Sequence, residues 1–268
     1  MNSKQGFRFE VPYSIKILKE ISKGNNTKEK LKEVTGAGEN RIIVFLEWLK
    51  YINSIKIEKS EVKLTELGKT YLKIHQADDF LEPLMLYHLL RNPDLEENDG
   101  QFYFSEMING ILNQVISDYS NTITVKQLLK EMYGLGAEEK YPQFITAAIN
   151  ALQDSDSGFG KMGILEELPN QKETFEVHSY WVEPLVAAYI IYDMWQDGQT
   201  AMSIDKITND KYNLGRMFLM DKDAIMETLE EIQYKNLITI ESGAGLNQIR
   251  IKPGINKSQI LDMIIDEA

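Results

Sequence analysis

The chain has 268 residues, 43% of them hydrophobic and 26% charged, a balance that suits a folded protein with room for more than one domain. Cysteine is absent, which excludes a disulfide framework, thiolate zinc, an iron–sulfur cluster and a cysteine nucleophile. The formal charge of −12 is unevenly spread: residues 1–75 carry 15 Lys/Arg against 9 Asp/Glu, residues 76–200 carry 6 against 21, and residues 201–268 carry 8 against 11.

A basic head on an acidic body suggests an anion-binding surface at the head and a basic partner for the body. The plainer alternative is that the acidic surface only keeps the body soluble. The opening Met1 to Glu10 has no apolar run of the secretory kind, and the longest apolar run, Leu185 to Tyr192, is too short to span a bilayer. The expectation is a cytoplasmic protein without a membrane partner. His75, His88 and His178 are far apart in sequence and form no metal-binding pair, so no metal is expected.

In chain order, Ile15, Ile17, Leu18 and Ile21 predict a first helix ended by Gly24-Asn25-Asn26. Thr27 caps a short basic helix over Lys28–Val34, Gly36-Ala37-Gly38 turns the chain, and Glu39–Ile52 reads as a longer helix. Ile55-Lys56-Ile57 and Val62-Lys63-Leu64 alternate around the polar tip Glu58-Lys59-Ser60-Glu61, the pattern of a β-hairpin. Thr65 then caps a helix over Glu66–Ile74. Helices, a glycine turn and a hairpin in this order predict a winged helix-turn-helix over 1–75.

Residues 76–200 read as an acidic, helical middle domain. Helices are predicted over Phe80–Leu90, Phe102–Ser117, Val125–Tyr133 and Pro142–Leu152, with a capping box at Thr124 and Gln127. Ser155–Gly163 reads as a loop. Ile164–Leu168 and Thr174–Val177 flank Pro169-Asn170-Gln171-Lys172 as a second hairpin. Trp181–Trp195 is apolar nearly all round, as a helix buried on several sides would be.

Residues 201–268 repeat the logic of the first segment. Short helices at Ile204–Thr208 and Leu214–Leu219 precede a third capped by Asp221, with Ile225, Leu229 and Ile232 on one stripe. A hairpin follows, Leu237–Ile240 and Gln248–Ile251 around Ser242–Gly245, and a last helix over Lys257–Ile265. The predicted fold is mainly α with small β-hairpins: two winged helix-turn-helix units flanking a helical middle domain.

In the first unit the third helix would be the recognition helix. Its apolar positions leave Asn40, Arg41, Val44, Glu47 and Lys50 to face outward together. Arg41 and Asn40 lie at the end that meets bases, Arg suiting guanine and Asn adenine. Lys56, Lys59 and Lys63 on the wing could meet phosphates, and Lys28, Lys30 and Lys32 extend the same footprint. The alternative is a solvated lysine face on a unit used for protein contacts. In the second unit Asp221, Asp223, Glu227, Glu230 and Glu231 would repel a phosphate backbone, despite Arg216, Arg250 and Lys252, which favours protein contact there.

Catalytic signals are sparse. Pro93-Asp94 and Glu138-Glu139-Lys140 match the letters of a metal-dependent nuclease motif without its strand context, and chance explains so short a match. Asp154, Asp156, Glu166 and Glu167 supply carboxylates that nothing singles out. Gly158-Phe-Gly160 and Gly243-Ala-Gly245 do not extend to a phosphate-binding loop. Tyr87, His88 and Trp181 read as core residues rather than catalytic ones.

Several stretches resemble an SspB-like prokaryotic family of unknown-function domains associated with DNA phosphorothioation (Ssp) and phage-defence systems. They are Asn213-Leu-Gly-Arg-Met-Phe-Leu-Met-Asp-Lys-Asp-Ala224, Ala244-Gly-Leu-Asn-Gln-Ile-Arg-Ile251, Gly36-Ala-Gly-Glu-Asn40, Leu64-Thr-Glu-Leu-Gly68 and Leu84-Met-Leu-Tyr-His-Leu-Leu90. They follow the family's order from about residue 36 onward, and order rather than any single catalytic signature carries the resemblance. The family's His/Thr/Phe-rich opening, its following Arg and its Trp-Leu pair are little preserved in Phe7-Arg-Phe-Glu10 and Tyr13-Ser-Ile-Lys16. The resemblance implies work on DNA in a defence operon, beside ATPase or sulfur-transfer subunits. DNA nicking is a family-level implication for which no residue here can be assigned.

The leading expectation is a DNA-binding component of such a modification and antiviral defence system, not itself an enzyme and without a cofactor. The enzyme alternative is a Mg²⁺- or Mn²⁺-dependent DNA nickase. A third reading is a non-catalytic scaffold using winged helices for protein contacts, and a transcriptional repressor is a fourth. No heptad run marks a dimer interface, which leaves a homodimer as an open option.

Overall fold

The computed structural model describes residues 9–91, 122–124, 149–243 and 246–268. Ten helices and eight strands are labelled within them. The first unit comprises α1 (Val11–Ser22), α2 (Lys28–Thr35), α3 (Glu39–Tyr51), the hairpin β1 (Ile55–Glu58) and β2 (Glu61–Leu64), and α4 (Glu66–Lys73). Then come α5 (Asp78–Leu90), β3 (Thr122–Thr124), β4 (Leu165–Glu167), β5 (Thr174–Val177) and α6 (Pro184–Met194). The chain ends with β6 (Met202–Ser203), α7 (Ile204–Asn209), α8 (Leu214–Phe218), α9 (Lys222–Tyr234), β7 (Ile238–Gly243), β8 (Leu246–Ile251) and α10 (Lys257–Glu267). The fold is therefore mainly α with small antiparallel β elements.

Local chemistry sets most boundaries. Thr27, Thr65 and Asp221 each accept a backbone N–H of the first turn they precede, from Lys30, Gly68 and Ala224. Asn256 and Gln259 complete a capping box on α10. At the hairpin tip Lys59 and Ser60 take φ of 48° and 73°, the left-handed pair that lets a two-residue turn follow the strand twist.

α5 and α6 are the central pillars. Every residue from Leu81 to Leu90 and from Pro184 to Tyr192 is buried, which requires neighbours on all sides. α6 packs against α5, α9 and α10, and α5 also touches α3. The first unit is tied to the middle of the chain at its start: Val11 N donates to the Ser157 carbonyl at 2.7 Å, and the rings of Phe9 and Phe159 stack at 5.2 Å.

The two ends of the chain share a corner. Helix runs into strand through Tyr51-Ile52-Asn53-Ser54-Ile55 in one and Tyr234-Lys235-Asn236-Leu237-Ile238 in the other. Asn53 and Asn236 sit at φ 54° and 60°, and the residue after each donates back to the helix, Ser54 N to Leu49 O and Leu237 N to Ile232 O. In the last segment β6 pairs with β8, giving the sheet order β6-β8-β7. At the matching place in the first unit a single bond, Val62 N to Asn26 O at 2.7 Å, joins the segment before α2 to β2.

The structure departs from expectation at several points. The helix expected from Trp181 begins only at Pro184, whose ring disfavours a helical residue before it, and Glu183 accordingly has a non-helical ψ of 132°. Trp181 stands 45% exposed rather than in the core. Val44, expected outward, is buried, 3% exposed. The second hairpin forms, and β3 adds a third strand to it by pairing Thr122–Thr124 with β5. The helices expected at Phe102–Ser117 and Val125–Tyr133, the capping partner Gln127 and most of Pro142–Leu152 lie outside the described residues, of which 149–153 are helical. No helix among the described residues is long and apolar enough to cross a membrane.

Candidate nucleic-acid interface

The lysines of the first unit gather on α2 and the hairpin. The Asn26–Val62 bond holds the start of α2 beside β2, so both elements belong to one edge of the unit. On it Lys30, Lys32, Lys56, Lys59 and Lys63 are exposed, and Lys28 is half-buried against Glu39, 3.4 Å from its carboxylate. The hairpin is less positive than its lysine count. Lys63 and Lys56 both reach Glu58, at 2.6 and 2.9 Å. Hydrogen bonding from Lys63, then from Lys56, pulls the Glu58 carboxyl down to about 2, so it stays ionised and offsets one of them. Lys59 stands exposed at the turn.

α3 offers a narrower face than its sequence suggests. Asn40 is exposed in the first turn. Arg41 is folded back: its Nη2 donates to both Glu10 carboxylate oxygens, at 3.0 and 3.2 Å, and its guanidinium lies 4.2 Å from the centre of the Tyr13 ring. To touch a base Arg41 would have to leave both partners. Lys50 is exposed at the far end of the helix, about 15 Å from Asn40 at 1.5 Å per residue. There it borders a different feature, a cavity among helix ends.

Of the residues at that second feature, the sequence marks Tyr87 and His88 only as core and does not single out Asn53, Arg91, Tyr189, Asp193 or Lys257. The buried imidazole of His88 lies with Nε2 3.0 Å from the Tyr189 hydroxyl, while Asn53 Nδ2 donates to Nδ1 at 3.3 Å. Beside it the Asp193 carboxylate accepts from the Tyr87 hydroxyl at 2.6 Å, from Lys257 at 2.7 Å and from Arg91. Burial foremost, then the cations of Arg91 and Lys257, push His88 down to about 3, so the ring is neutral. One signal was available. Tyr87 and Arg91, and Tyr189 and Asp193, are polar pairs four residues apart at the ends of two largely apolar stretches, Leu84–Leu90 and Leu185–Tyr192.

Among the described residues no group of three or more His, Asp or Glu is placed to hold a metal ion. Asp94, Glu138, Glu139 and Lys140, the letters of the nuclease motif, lie outside the described residues.

The family model "Protein of unknown function (DUF4007)" matches residues 15–265. Two solved structures share the fold. One is described as a magnesium ion-bound SspB crystal structure, with a TM-score of 0.62 at 15% identity, covering 88% of this chain and 77% of that one. The other, an SspB crystal structure, has a TM-score of 0.63 at 13% identity, covering 88% and 78%. No curated protein matches the chain.

Proposed function

The chain belongs to the DUF4007 family of proteins of unknown function, and from that premise we propose that it is a DNA-contacting component of a phosphorothioation-linked defence system. Residues 1–75 would act as a winged helix-turn-helix whose α2 and hairpin lysines meet phosphates. Residues 201–268, completed by α6, would form a second such unit, and with the acidic middle they would dock partner subunits. The fold shared with SspB and the motif order from about residue 36 support the system-level reading. The observation that carries the DNA reading is the exposed lysine edge joined by the Asn26–Val62 bond.

Fluorescence anisotropy with labelled duplex and single-stranded DNA over a salt series tests it. The wild type should bind with an affinity that falls steeply with salt, and Lys59→Glu/Lys63→Glu should weaken it at least tenfold. Absence of binding to either DNA at low salt would sink the reading and leave a protein-docking scaffold. Arg41→Glu is a poor probe, because it sets a second carboxylate against Glu10.

A second reading, a Mg²⁺- or Mn²⁺-dependent nickase, is favoured by one observation, the magnesium in a solved neighbour. Metal-dependent conversion of supercoiled plasmid to open circles, by purified protein with its operon partners present, tests that reading.

A further inference from the structure

α5 opens with two exposed carboxylates, Asp78 and Asp79, and Glu82 follows one turn later on the same face. Only 4% of Glu82 is exposed, and its carboxyl accepts no hydrogen bond from any described residue. It is not among the fully buried atoms left without a partner, so its oxygens still meet the surface. Like charges one turn apart repel, and a buried carboxyl without a donor costs stability, so packing does not account for Glu82.

Other elements bring more acceptors to this face. Ahead of α6 the Tyr180 hydroxyl lies among Asp79, Glu82, Glu183 and Asp78; burial first, then these charges, raise it above the usual tyrosine range. Glu183 is itself raised by burial, then by Asp79 and by Glu267 at the end of α10, against the pull of Lys235 just after α9. The two lysines present are taken at the margins, Lys161 by Asp78 at 2.7 Å and Lys235 by Glu267 at 2.9 Å. The carboxylates of Asp79, Glu82 and Glu183 are left with no donor among the described residues. The Asp79 carbonyl also lacks its helical donor, because Pro83, four residues on, has no N–H. The starts of α5 and α6 and the ends of α9 and α10 offset one another, so the negative excess rests on side chains, five carboxylates against two lysines.

We propose that this face binds an arginine side chain presented by a different polypeptide. The proposal rests on the partner-docking role read above for the acidic middle and the last segment, and names the group that is recognised there. A guanidinium presents five N–H donors in a planar fork, enough for several separate acceptors at once. It is weakly hydrated and stacks on aromatic rings, so it can be drawn against the buried Glu82 carboxyl beside Tyr180, where a strongly hydrated lysine ammonium is at a disadvantage. Among the described residues no three carboxylates converge as a metal ion requires, which also favours a fork of donors over a single ion. A second copy of this chain is a poor source. Arg41, Arg91, Arg216 and Arg250 are each already bonded, to Glu10, Asp193, the Asn209 carbonyl and Glu241.

Fluorescence anisotropy of the full chain with labelled glycine–serine peptides carrying two arginines, two lysines or two citrullines, at about 50 mM salt, tests the proposal. The arginine peptide should bind roughly tenfold more tightly than the lysine peptide, and the citrulline peptide should not bind. Glu82→Gln and Asp79→Asn should each weaken the arginine peptide about fivefold or more, whereas Glu227→Gln/Glu230→Gln on the exposed face of α9 should change nothing. Urea unfolding confirms that Glu82→Gln folds; should it not, Asp79→Asn at the exposed rim decides alone. Equal binding of the arginine and lysine peptides, or binding that survives Glu82→Gln, overturns the proposal and marks a diffuse attraction to an acidic chain. Self-association at low salt that Glu82→Gln abolishes overturns the choice of a different polypeptide. Co-elution with the operon's other subunits separates this proposal from the docking reading. Subunits retained by the wild type and by Glu82→Gln alike refute this site and leave docking standing; a Glu82-dependent arginine peptide with no subunit retained supports the site and refutes the docking reading.

Discussion

At both ends of the chain a helix meets a strand at an asparagine in the left-handed region, with tyrosine two residues before it and isoleucine two and four residues after. The segment before the helices then reaches across to the second strand of the hairpin, by one bond from Asn26 in the first unit and by the β6–β8 pairing in the last. The surfaces built on these matching frames differ. Exposed lysines line α2 and the first hairpin, whereas Asp223, Glu227, Glu230 and Glu231 are exposed on α9 and Arg250 of the second hairpin is held by Glu241 at 2.7 Å. The comparison teaches that the inward apolar spacing sets the frame, while the outward residues are free to choose the partner.

The largest expected effect attacks each frame at its tightest point. A Cβ at Gly68 would lie 2.0 Å from the Ser54 carbonyl oxygen, and one at Gly215 would lie 2.0 Å from that of Thr208. Gly68→Ala and Gly215→Ala should each cost about 3 kcal/mol in urea unfolding, since backbone rather than a flexible side chain must give way. A single transition shifted by either substitution would show the two units to be one cooperative body; two transitions, of which each substitution shifts only its own, would show that each unit unfolds by itself.

Next is a pH effect at the junction rather than in either unit. Glu82 on α5 is buried, and desolvation first, then the carboxylates of Asp78 and Asp79, raise it from 4.5 to about 7 against the pull of Lys161. The folded protein thus keeps a proton that the unfolded chain releases, so stability falls as pH rises from about 4.5 through about 7 and is level above. Glu82→Gln should gain about 2 kcal/mol at about pH 8 and almost nothing at about pH 4, read by urea midpoints at the two values.

A smaller effect sharpens the contrast of surfaces. Lys59→Glu/Lys63→Glu should weaken duplex DNA binding about tenfold, near 1.4 kcal/mol, and lower the salt slope. Arg250→Glu on the second hairpin should change neither. A loss on the second hairpin equal to that on the first would erase the proposed division of labour.

The finest test compares the two corner asparagines. Asn236→Ala should cost about 1 kcal/mol for forcing alanine into the left-handed region. Asn53→Ala should cost about 1 kcal/mol more, because it also removes the bond to His88. Thermal denaturation of the pair measures the difference, and identical values would mean that the Asn53–His88 bond adds nothing.

The caps at Thr27, Thr65 and Asp221, the hairpin tip at Lys59-Ser60 and the apolar stripes of α1 and α9 were readable because each is decided within a few residues by backbone hydrogen bonds and side-chain period. The partners of Arg41 were not readable, for the opposite reason. Helical period places it on a surface, yet Glu10 and Tyr13, from another helix's approach, take its charge and its face. Val44 and Trp181 exchange their expected sides on the same grounds, since burial depends on which element arrives.

By itself, then, the sequence determined the identity and order of the described helices and hairpins, the basic character of the first segment and the repetition of its plan at the end, all consequences of local pattern and composition. The tertiary structure alone decided that Asn53, His88, Tyr189, Asp193 and Lys257 meet at one cavity, that β3 and β6 find their partners, and which lysines keep their charge to themselves. Those groups are separated by as many as 204 positions along the chain, from Asn53 to Lys257. Packing two largely buried helices, α5 and α6, against each other brings such positions within hydrogen-bonding reach.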